Sequence, residues 1–162
     1  NLEEFKSTKK LPIVIVLDNV RSAHNVGSIF RTSDAFLIEK VILCGICPTP
    51  PKNEIRKTAL GATESMDWEY FENTADCIKT LAEKDFSILS IEQADNSVEL
   101  QDFEIDSSKK IALIFGNEVN GVSNECIALS DGVIEIPQHG TKHSFNVSVS
   151  AGIVLWDLAK KL

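Results

Sequence analysis

Polar side chains are concentrated in three segments, and each segment follows a run of apolar residues. The first segment, residues 19–32, reads NVRSAHNVGSIFRT and contains Asn25 and, six positions later, Arg31. Asparagine is a preferred helix N-cap, and an arginine on the same side of that helix can bind an anion through two parallel hydrogen bonds. Beside the positive end of a helix dipole, this pair predicts an anion or phosphate site. The alternative is an ordinary helix cap with an unrelated surface arginine.

The second segment, residues 111–123, reads IALIFGNEVNGVS and leads from a buried strand into a turn. Its glycines, Gly116 and Gly121, permit a tight turn and a close approach of the backbone to a ligand. Glu118 stands at the tip of the strand, where it has no obvious structural role. The segment matches neither the dinucleotide-binding G-x-G-x-x-G motif nor a Walker A loop, which argues against those two classes of nucleotide site.

The third segment, residues 134–150, reads IEIPQHGTKHSFNVSVS. Ser144, Asn146 and Ser148 enter an otherwise apolar helix, and buried polar groups need hydrogen-bond partners. A capping role for Asn146 accounts for only one of the three. His139 and His143 are four residues apart, as in some metal sites, but no third ligand has suitable spacing, so we do not expect a metal.

The cysteines favour a structural role over a redox or zinc site. Residues 44–47 have C-x-x-C spacing, but a zinc site would need a second pair of ligands at matching spacing. The cysteines are therefore predicted to be small buried residues in a reducing cytoplasm. They are Cys44, Cys47, Cys77 and Cys126.

Apolar and β-branched runs alternate with helical patterns along the chain. Strands are predicted at residues 11–17, 41–44, 86–91, 111–115 and 133–136. Helices are predicted from Asn25 to about residue 36, from Thr74 to 81, from Ser123 to 129, and from Asn146 to 162, each with its first residue as the cap. This alternation predicts an α/β fold with a mostly parallel sheet and helices on both faces. The proline-rich residues 48–57 are predicted to be an exposed loop leading into a short helix.

The last helix has almost no polar face before Lys160. A helix that is apolar nearly all round must be buried on several sides. It is therefore either fully internal or part of a subunit interface, and the sequence leaves both alternatives open.

Length and composition suit a single domain covering residues 1–162, with residues 1–10 as an N-terminal extension. The chain begins with Asn1 rather than Met, which leaves open whether residues have been trimmed there. No apolar run is long enough for a membrane span, and we expect no membrane partner. The net charge of −8 argues mildly against a nucleic-acid partner. Basic side chains nevertheless occur near the three segments, and Arg21, Arg31, Arg56, Lys57 and Lys142 could form a local basic patch that binds phosphates.

In this order and spacing, three motifs together resemble the SpoU (TrmH-like) ribose 2′-O-methyltransferases of the SPOUT class. The motifs are NVGSIFRT (25–32), IALIFGNEVNGVS (111–123) and IEIPQHGTKHSFNVSVSAGIVLW (134–156). The resemblance extends from about residue 11 to residue 162. It implies a C-terminal trefoil knot, S-adenosylmethionine as the cofactor, RNA as the substrate and a homodimer that uses the last helix.

The resemblance also implies roles for individual residues. The reaction site would contain Asn25, Arg31, Glu118, Ser144 and Asn146. The S-adenosylmethionine pocket would be formed by Phe115, Gly116, Asn117, Ile136, Gln138, Ser144, Phe145 and Asn146. The sequence departs from the family pattern at Asn117, where many members have Thr or Pro, and at Phe145, where many have Leu. Neither difference removes a reacting group.

The implied reaction is in-line attack of a ribose 2′-oxygen on the methyl group of the donor. The resemblance makes Arg31 the candidate base, but removing the proton from an arginine at pH 7 costs about 7 kcal/mol. We therefore expect Arg31 to hold the neighbouring phosphate and to stabilise the developing alkoxide. The target is transfer RNA or ribosomal RNA, and the short chain favours transfer RNA slightly. The alternatives are a non-catalytic RNA-binding domain, an RNA base methyltransferase and, less favoured, a nucleotide-binding enzyme.

Overall fold

The computed structural model describes residues 1–142 and 144–162, in which strands and helices alternate. The strands are β1 (Leu11–Asp18), β2 (Ile38–Cys44), β3 (Trp68–Phe71), β4 (Ser87–Ile91), β5 (Val98–Glu99), β6 (Ile111–Gly116) and β7 (Gly132–Glu135). The helices are α1 (Leu2–Ser7), α2 (Ala23–Ala35), α3 (Asn53–Ala59), α4 (Ala62–Ser65), α5 (Thr74–Glu83), α6 (Asn124–Ala128) and α7 (Val147–Lys161).

All seven strands belong to one parallel sheet in the order β3-β2-β1-β6-β4-β7-β5. The predicted α/β fold is confirmed. Strand order changes direction between β1 and β6, whose last residues, Asp18 and Gly116, are paired in register. Ligands of open parallel sheets bind at the carboxyl ends of strands beside such a switch point. The trefoil knot implied by the resemblance stays a prediction.

The sheet separates two hydrophobic cores, which explains the continuous apolar runs of its central strands. Along β1, Ile13, Ile15 and Leu17 face one core, and Val14 and Val16 face the other. Helices α2, α3 and α7 cover the first core, and α5 and α6 cover the second. Helices therefore lie on both faces, as predicted.

The beginnings of the helices confirm two of the predicted caps and correct two others. Ser123 and Asn146 cap α6 and α7, as expected. Asn25 does not cap α2, because Ser22 does, accepting a hydrogen bond from the Asn25 backbone N–H at 3.2 Å. Thr74 does not cap α5, because Asn73 holds that position and accepts from the Asp76 N–H at 3.1 Å.

All four cysteines are buried and free, which confirms their predicted burial. Burial raises the pKa of Cys47 and of Cys126 to about 11. A hydrogen bond with Cys77, together with burial, raises the pKa of Cys44. The thiols of Cys44, Cys47 and Cys126 therefore stay protonated at neutral pH. Of the proposed histidine pair, His143 lies outside the described residues.

Helix α7 is not fully internal, so that alternative for the last helix is wrong. Ala151, Leu155 and Leu158 are completely buried on one side. On the other side, Val149 is 50% exposed and Trp156 is 62% exposed. This exposed apolar face borders α2, because the Trp156 ring packs edge-on against Phe36 with a centroid distance of 6.4 Å.

Candidate active site

The turn after β6 is closed tightly on itself. The backbones of Asn117 and Gly121 exchange two hydrogen bonds, and the Asn117 side-chain oxygen accepts from the N–H groups of Val119 and Asn120 at 2.8 and 3.0 Å. Gly121 has a φ of +68°, which favours glycine. A Cβ on Gly116 would lie 2.1 Å from the backbone of Gly121, so Gly116 is required by the turn itself.

Glu118 connects this turn to the beginning of α2. Its two carboxylate oxygens accept hydrogen bonds from the backbone N–H groups of Arg21 and Ser22 at 2.9 and 2.8 Å. The Asn25 side chain adds a third contact at 3.3 Å. Desolvation opposes the charge of Glu118, but these hydrogen bonds outweigh it and hold its pKa below the ordinary value. The carboxylate is therefore ionised at neutral pH.

Asn25 links Glu118 to Asn146, which completes a chain of three side chains from three distant segments. The Asn146 amide donates to the Asn25 side-chain oxygen at 3.2 Å. The Asn146 oxygen caps α7 by accepting from the N–H groups of Ser148 and Val149 at 2.9 and 3.4 Å. The three residues are thus fixed by their own backbones and by one another. Ser144 lies at the same place, in the cleft beside Asn146.

A cleft of about 520 Å³ opens beside this chain of residues, at the carboxyl ends of β6 and β4. It is within the size range of small-molecule sites, about 300–1,000 Å³. Of the residues proposed to hold a cofactor, the cleft is lined by Phe115, Gly116, Asn117, Ser144, Phe145 and Asn146. Ile136 and Gln138 are not among its lining residues. Its described lining includes two carboxylates, Glu92 and Glu118, and neither lysine nor arginine, so it favours a cationic ligand.

Sequence reasoning missed the side of the cleft formed by the end of β4. Ile91, Glu92 and Gln93 line it there. The Glu92 carboxylate accepts a hydrogen bond from the Val122 backbone N–H at 3.2 Å. The available signal resembled that for Glu118, namely a carboxylate close after a buried strand, since Glu92 directly follows β4 and Glu118 lies two residues after β6.

Asp18 is a second residue that the sequence did not single out. It ends β1 and is only 3% exposed. Its carboxylate accepts from the Thr74 hydroxyl at 2.7 Å, from the Asn19 side chain at 3.0 Å and from the Ser123 N–H at 2.9 Å. Asp18 therefore holds the ends of three elements together beneath the site.

The structure does not bring Arg31 to Asn25. Six residues are about 1.7 helical turns, so their side chains point about 120° apart. Arg31 instead lines a separate cleft of about 530 Å³ between α2 and α3, together with Phe36 and Lys57. Arg56 and Lys57 line a further cleft of about 460 Å³ along α3.

The arginines have no acidic partner in this fold. Among residues 1–142 and 144–162, every ion pair is formed by a lysine or by the N-terminus. Arg21, Arg31 and Arg56 are the only arginines of the sequence, and all three are exposed. Lys142 is exposed as well. These guanidinium groups are therefore available to an external anion.

Within the described part of the chain, no helix is both long and apolar enough to cross a membrane.

Comparison with known proteins gives consistent matches over most of the chain. Residues 12–156 match the sequence model of the SpoU rRNA Methylase family. A tRNA (guanosine(18)-2′-O)-methyltransferase from Thermus thermophilus is 28% identical over 160 residues, which are 99% of this chain and 80% of that protein.

Two solved structures have the same fold. The TrmH/SpoU tRNA modifying enzyme from A. aeolicus superposes with a TM-score of 0.86 at 28% identity, covering 99% of this chain and 80% of that chain. An AdoMet-bound rRNA methyltransferase from Sinorhizobium meliloti superposes with a TM-score of 0.86 at 25% identity, covering 98% of this chain and 60% of that chain. The chain therefore spans less than two thirds of the length of the S. meliloti protein.

Proposed function

The chain belongs to the SpoU rRNA Methylase family, and on that premise we propose that it transfers a methyl group from S-adenosylmethionine to a ribose 2′-hydroxyl in RNA. The proposal rests on one observation: hydrogen bonds join the side chains of Glu118, Asn25 and Asn146 at one edge of the cleft. The RNA is transfer RNA or ribosomal RNA, the two substrates named for the related proteins.

The cleft fits S-adenosylmethionine in size and in charge. Its volume of about 520 Å³ suits a ligand of this size, and its two carboxylates favour the positive charge of the donor. When bound, S-adenosylmethionine supplies a methyl group activated by a sulfonium. Ser144, Phe145 and the turn from Gly116 to Asn117 would hold it. Ile136 and Gln138 stay candidates from the resemblance alone.

The chain's own residues would position the ribose. Glu118 already accepts three hydrogen bonds and is ionised, so it acts as an anchor for Asn25 rather than as a proton donor. The Asn25 and Asn146 amides each have a second N–H after these contacts. Those N–H groups can hold the 2′-oxygen and stabilise the negative charge that develops on it.

Arg31 would bind the neighbouring phosphate rather than remove the hydroxyl proton. Its guanidinium is exposed, forms no ion pair among the described residues and shares its cleft with Lys57. Arg21, Arg56, Lys57 and Lys142 would bind other phosphates of the RNA. Arg31, Arg56 and Lys57 line adjoining clefts, so phosphates could bind there although the net charge of the chain is −8.

The Arg31 hypothesis predicts that Arg31→Lys reduces kcat/KM about 10- to 100-fold, because lysine cannot form two parallel hydrogen bonds with a phosphate. Single-turnover methyl transfer to RNA measures this, with Lys79→Arg as a control for a conservative basic change on α5, outside the proposed RNA-binding set. Near-full activity of Arg31→Lys would exclude the two-bond contact.

A homodimer formed through α7 is part of the proposal. The exposed face that contains Val149 and Trp156 is apolar, and such a face is typical of an interface. Phe36 packs against Trp156 and also lines the Arg31 cleft, so this interface would border the proposed RNA site. A cytoplasmic location agrees with the four free thiols.

The test of the activity is methyl transfer from labelled S-adenosylmethionine to total RNA from the source organism lacking this gene. We expect label with the natural chain and a strong loss with Arg31→Ala. Size separation then identifies the RNA class, and resistance of the adjacent bond to nuclease distinguishes ribose from base methylation. RNA binding without donor binding would favour a non-catalytic domain instead.

A further inference from the structure

The donor cleft contains a carboxylate that the reaction described above does not use. Glu92 directly follows β4 and lines the cleft next to the turn after β6. Its Oε2 accepts a hydrogen bond from the Val122 N–H at 3.2 Å, and its own N–H donates to the Ile134 carbonyl at 3.0 Å. Gly121 passes so closely that a Cβ there would lie 2.6 Å from Oε2. Glu92 is therefore fixed both through its backbone N–H and through its carboxylate.

One oxygen of this carboxylate, Oε1, can still accept hydrogen bonds. Among the described residues, Oε2 takes the bond from Val122, and Oε1 accepts none. An ionised carboxylate can accept about four hydrogen bonds. Glu92 is half-buried and borders the cleft, so it presents a fixed acceptor to a ligand there.

The position of Glu92 indicates which part of the donor it would meet. Asn25, proposed to hold the target ribose, lies in the first turn of α2 after β1, and its anchor Glu118 lies in the turn after β6. Glu92 lies at the end of β4, one strand further along the sheet, and neighbouring strands are about 4.8 Å apart. Glu92 would therefore contact a group of the donor that lies about one strand spacing from the sulfonium, and not the transferred methyl group.

Two groups of S-adenosylmethionine at that distance donate hydrogen bonds, namely the ribose hydroxyls and the ammonium of the methionine part. The ammonium is accompanied by a carboxylate, which would need a cationic partner and would be repelled by Glu92. Among the described residues, no lysine or arginine lines the cleft. The ribose is neutral, and its hydroxyls require only acceptors.

We propose that Glu92 binds the ribose hydroxyls of the methyl donor. The inference rests on the proposed function, because it takes S-adenosylmethionine as the ligand of this cleft. It assigns Glu92 as a specificity-determining residue that favours a ribonucleoside over a deoxyribonucleoside in the donor site.

Isothermal titration calorimetry with two donor analogues tests this assignment. S-adenosylhomocysteine carries adenosine and the amino-acid part, whereas 5′-methylthioadenosine carries adenosine without the amino-acid part. We expect Glu92→Ala to weaken binding of both analogues about 10- to 100-fold, the usual effect of losing hydrogen bonds to a charged group. Weakening confined to S-adenosylhomocysteine would overturn the proposal in favour of the ammonium.

Glu92→Gln separates ligand binding from support of the turn. Its amide oxygen can still accept from the Val122 N–H, so the turn is retained. We expect Glu92→Gln to lose at least about 5-fold in affinity for 5′-methylthioadenosine, since a neutral amide is a weaker acceptor than a carboxylate. If Glu92→Gln binds 5′-methylthioadenosine as tightly as the natural chain does while Glu92→Ala binds it weakly, Glu92 only supports the turn. That result would overturn the proposal.

Deoxy analogues complete the test. The 2′-deoxy and 3′-deoxy forms of 5′-methylthioadenosine should bind the natural chain more weakly than the parent compound. In Glu92→Ala, at least one of the deoxy analogues should bind as tightly as the parent compound. If both still bind more weakly by the same factors as in the natural chain, the proposal fails. Glu135→Gln is the matched control, because Glu135 ends β7 outside the cleft lining and bonds Ser97 at 2.9 Å.

The same titrations distinguish this inference from the proposed function. If the natural chain binds both analogues and Glu92→Ala binds them with the same affinity, only the role of Glu92 is overturned. No binding of either analogue to the natural chain would overturn the donor site and the role of Glu92 together.

Discussion

At the scale of single residues, the site depends on carboxylates that bind backbone N–H groups. Glu118 accepts from Arg21 and Ser22, and Asp18 accepts from Ser123. Each contact joins positions about a hundred residues apart. One carboxylate side chain therefore fixes the position of one loop relative to another. Charge-assisted hydrogen bonds are stronger than neutral ones, which suits them to this task.

The depressed pKa of Glu118 predicts a pH-dependent contribution to stability. A carboxylate whose folded-state pKa is lowered stabilises the fold above its unfolded pKa, about 4.3, and loses that contribution as pH falls through the lower folded value. Glu118→Gln should therefore lower the free energy of unfolding at pH 7 by about 1 kcal/mol, a figure kept small because the side chain is exposed.

Urea denaturation at pH 7, 5 and 3.5 measures this effect. The difference from the natural chain should be similar at pH 7 and 5 and should shrink at pH 3.5. Glu72→Gln is the control, because Glu72 is exposed and forms no hydrogen bond through its side chain among the described residues. A constant difference at all three pH values would contradict the role of the Glu118 charge.

At the scale of elements, the carboxyl ends of β1, β6 and β4 determine where the site lies. These strands are neighbours in the sheet, so the loops that follow them meet. The loops after β1 and β6 bring Asn25 and Glu118 together, and the end of β4 adds Glu92. Helix α7 closes the arrangement, because its cap, Asn146, also bonds Asn25.

The turn after β6 predicts that Gly116→Ala is damaging although alanine is a small residue. The new methyl group would lie 2.1 Å from the backbone of Gly121 and Val122, which cannot move without breaking the turn. We expect a loss of about 1–3 kcal/mol in the free energy of unfolding and weaker S-adenosylhomocysteine binding.

Gly140→Ala is the matched control, because a Cβ there would meet no atom of the described residues within 4 Å. It should leave both stability and binding nearly unchanged. Equal stability of the two variants in thermal unfolding would show that the turn can adapt to a Cβ at Gly116.

At the scale of the whole molecule, an apolar face of α7 is exposed in the described part of the chain. Val149 and Trp156 are exposed on α7 although both are apolar, and α2 contributes Phe36 beside them. Surface residues of this kind normally mark an interaction site when they form a continuous patch. The proposed dimer would cover them.

Trp156→Glu should convert the proposed dimer into a monomer, because it places a charge in the centre of the interface. Loss of a central tryptophan typically costs about 2–4 kcal/mol of binding free energy, or roughly a 30- to 1,000-fold weaker association. Sedimentation equilibrium measures the change. Trp68→Glu alters the only other tryptophan, which lies on the edge strand β3, and should leave assembly unchanged.

A natural chain that sediments as a monomer at micromolar concentrations would contradict the dimer. So would a Trp156→Glu variant that stays dimeric. In either case the exposed face of α7 would need a different partner.

Local sequence patterns determined much of this protein. Apolar runs located five of the seven strands, and the two that were missed, β3 and β5, are a short strand with exposed aromatic residues and a two-residue strand. The caps Ser123 and Asn146 were also predicted, since capping depends on residues within one helical turn. The three polar segments and the residues Asn25, Glu118, Ser144 and Asn146 were identified in the same way.

Only the tertiary structure decided how those residues are arranged. The hydrogen bonds from Asn25 to Glu118 and from Asn146 to Asn25 span 93 and 121 residues, so no local pattern contains them. The strand order brought Glu92 into the cleft, and packing left Trp156 exposed. Residue type and spacing determine local backbone structure, whereas contacts between distant segments depend on how the sheet and its helices assemble.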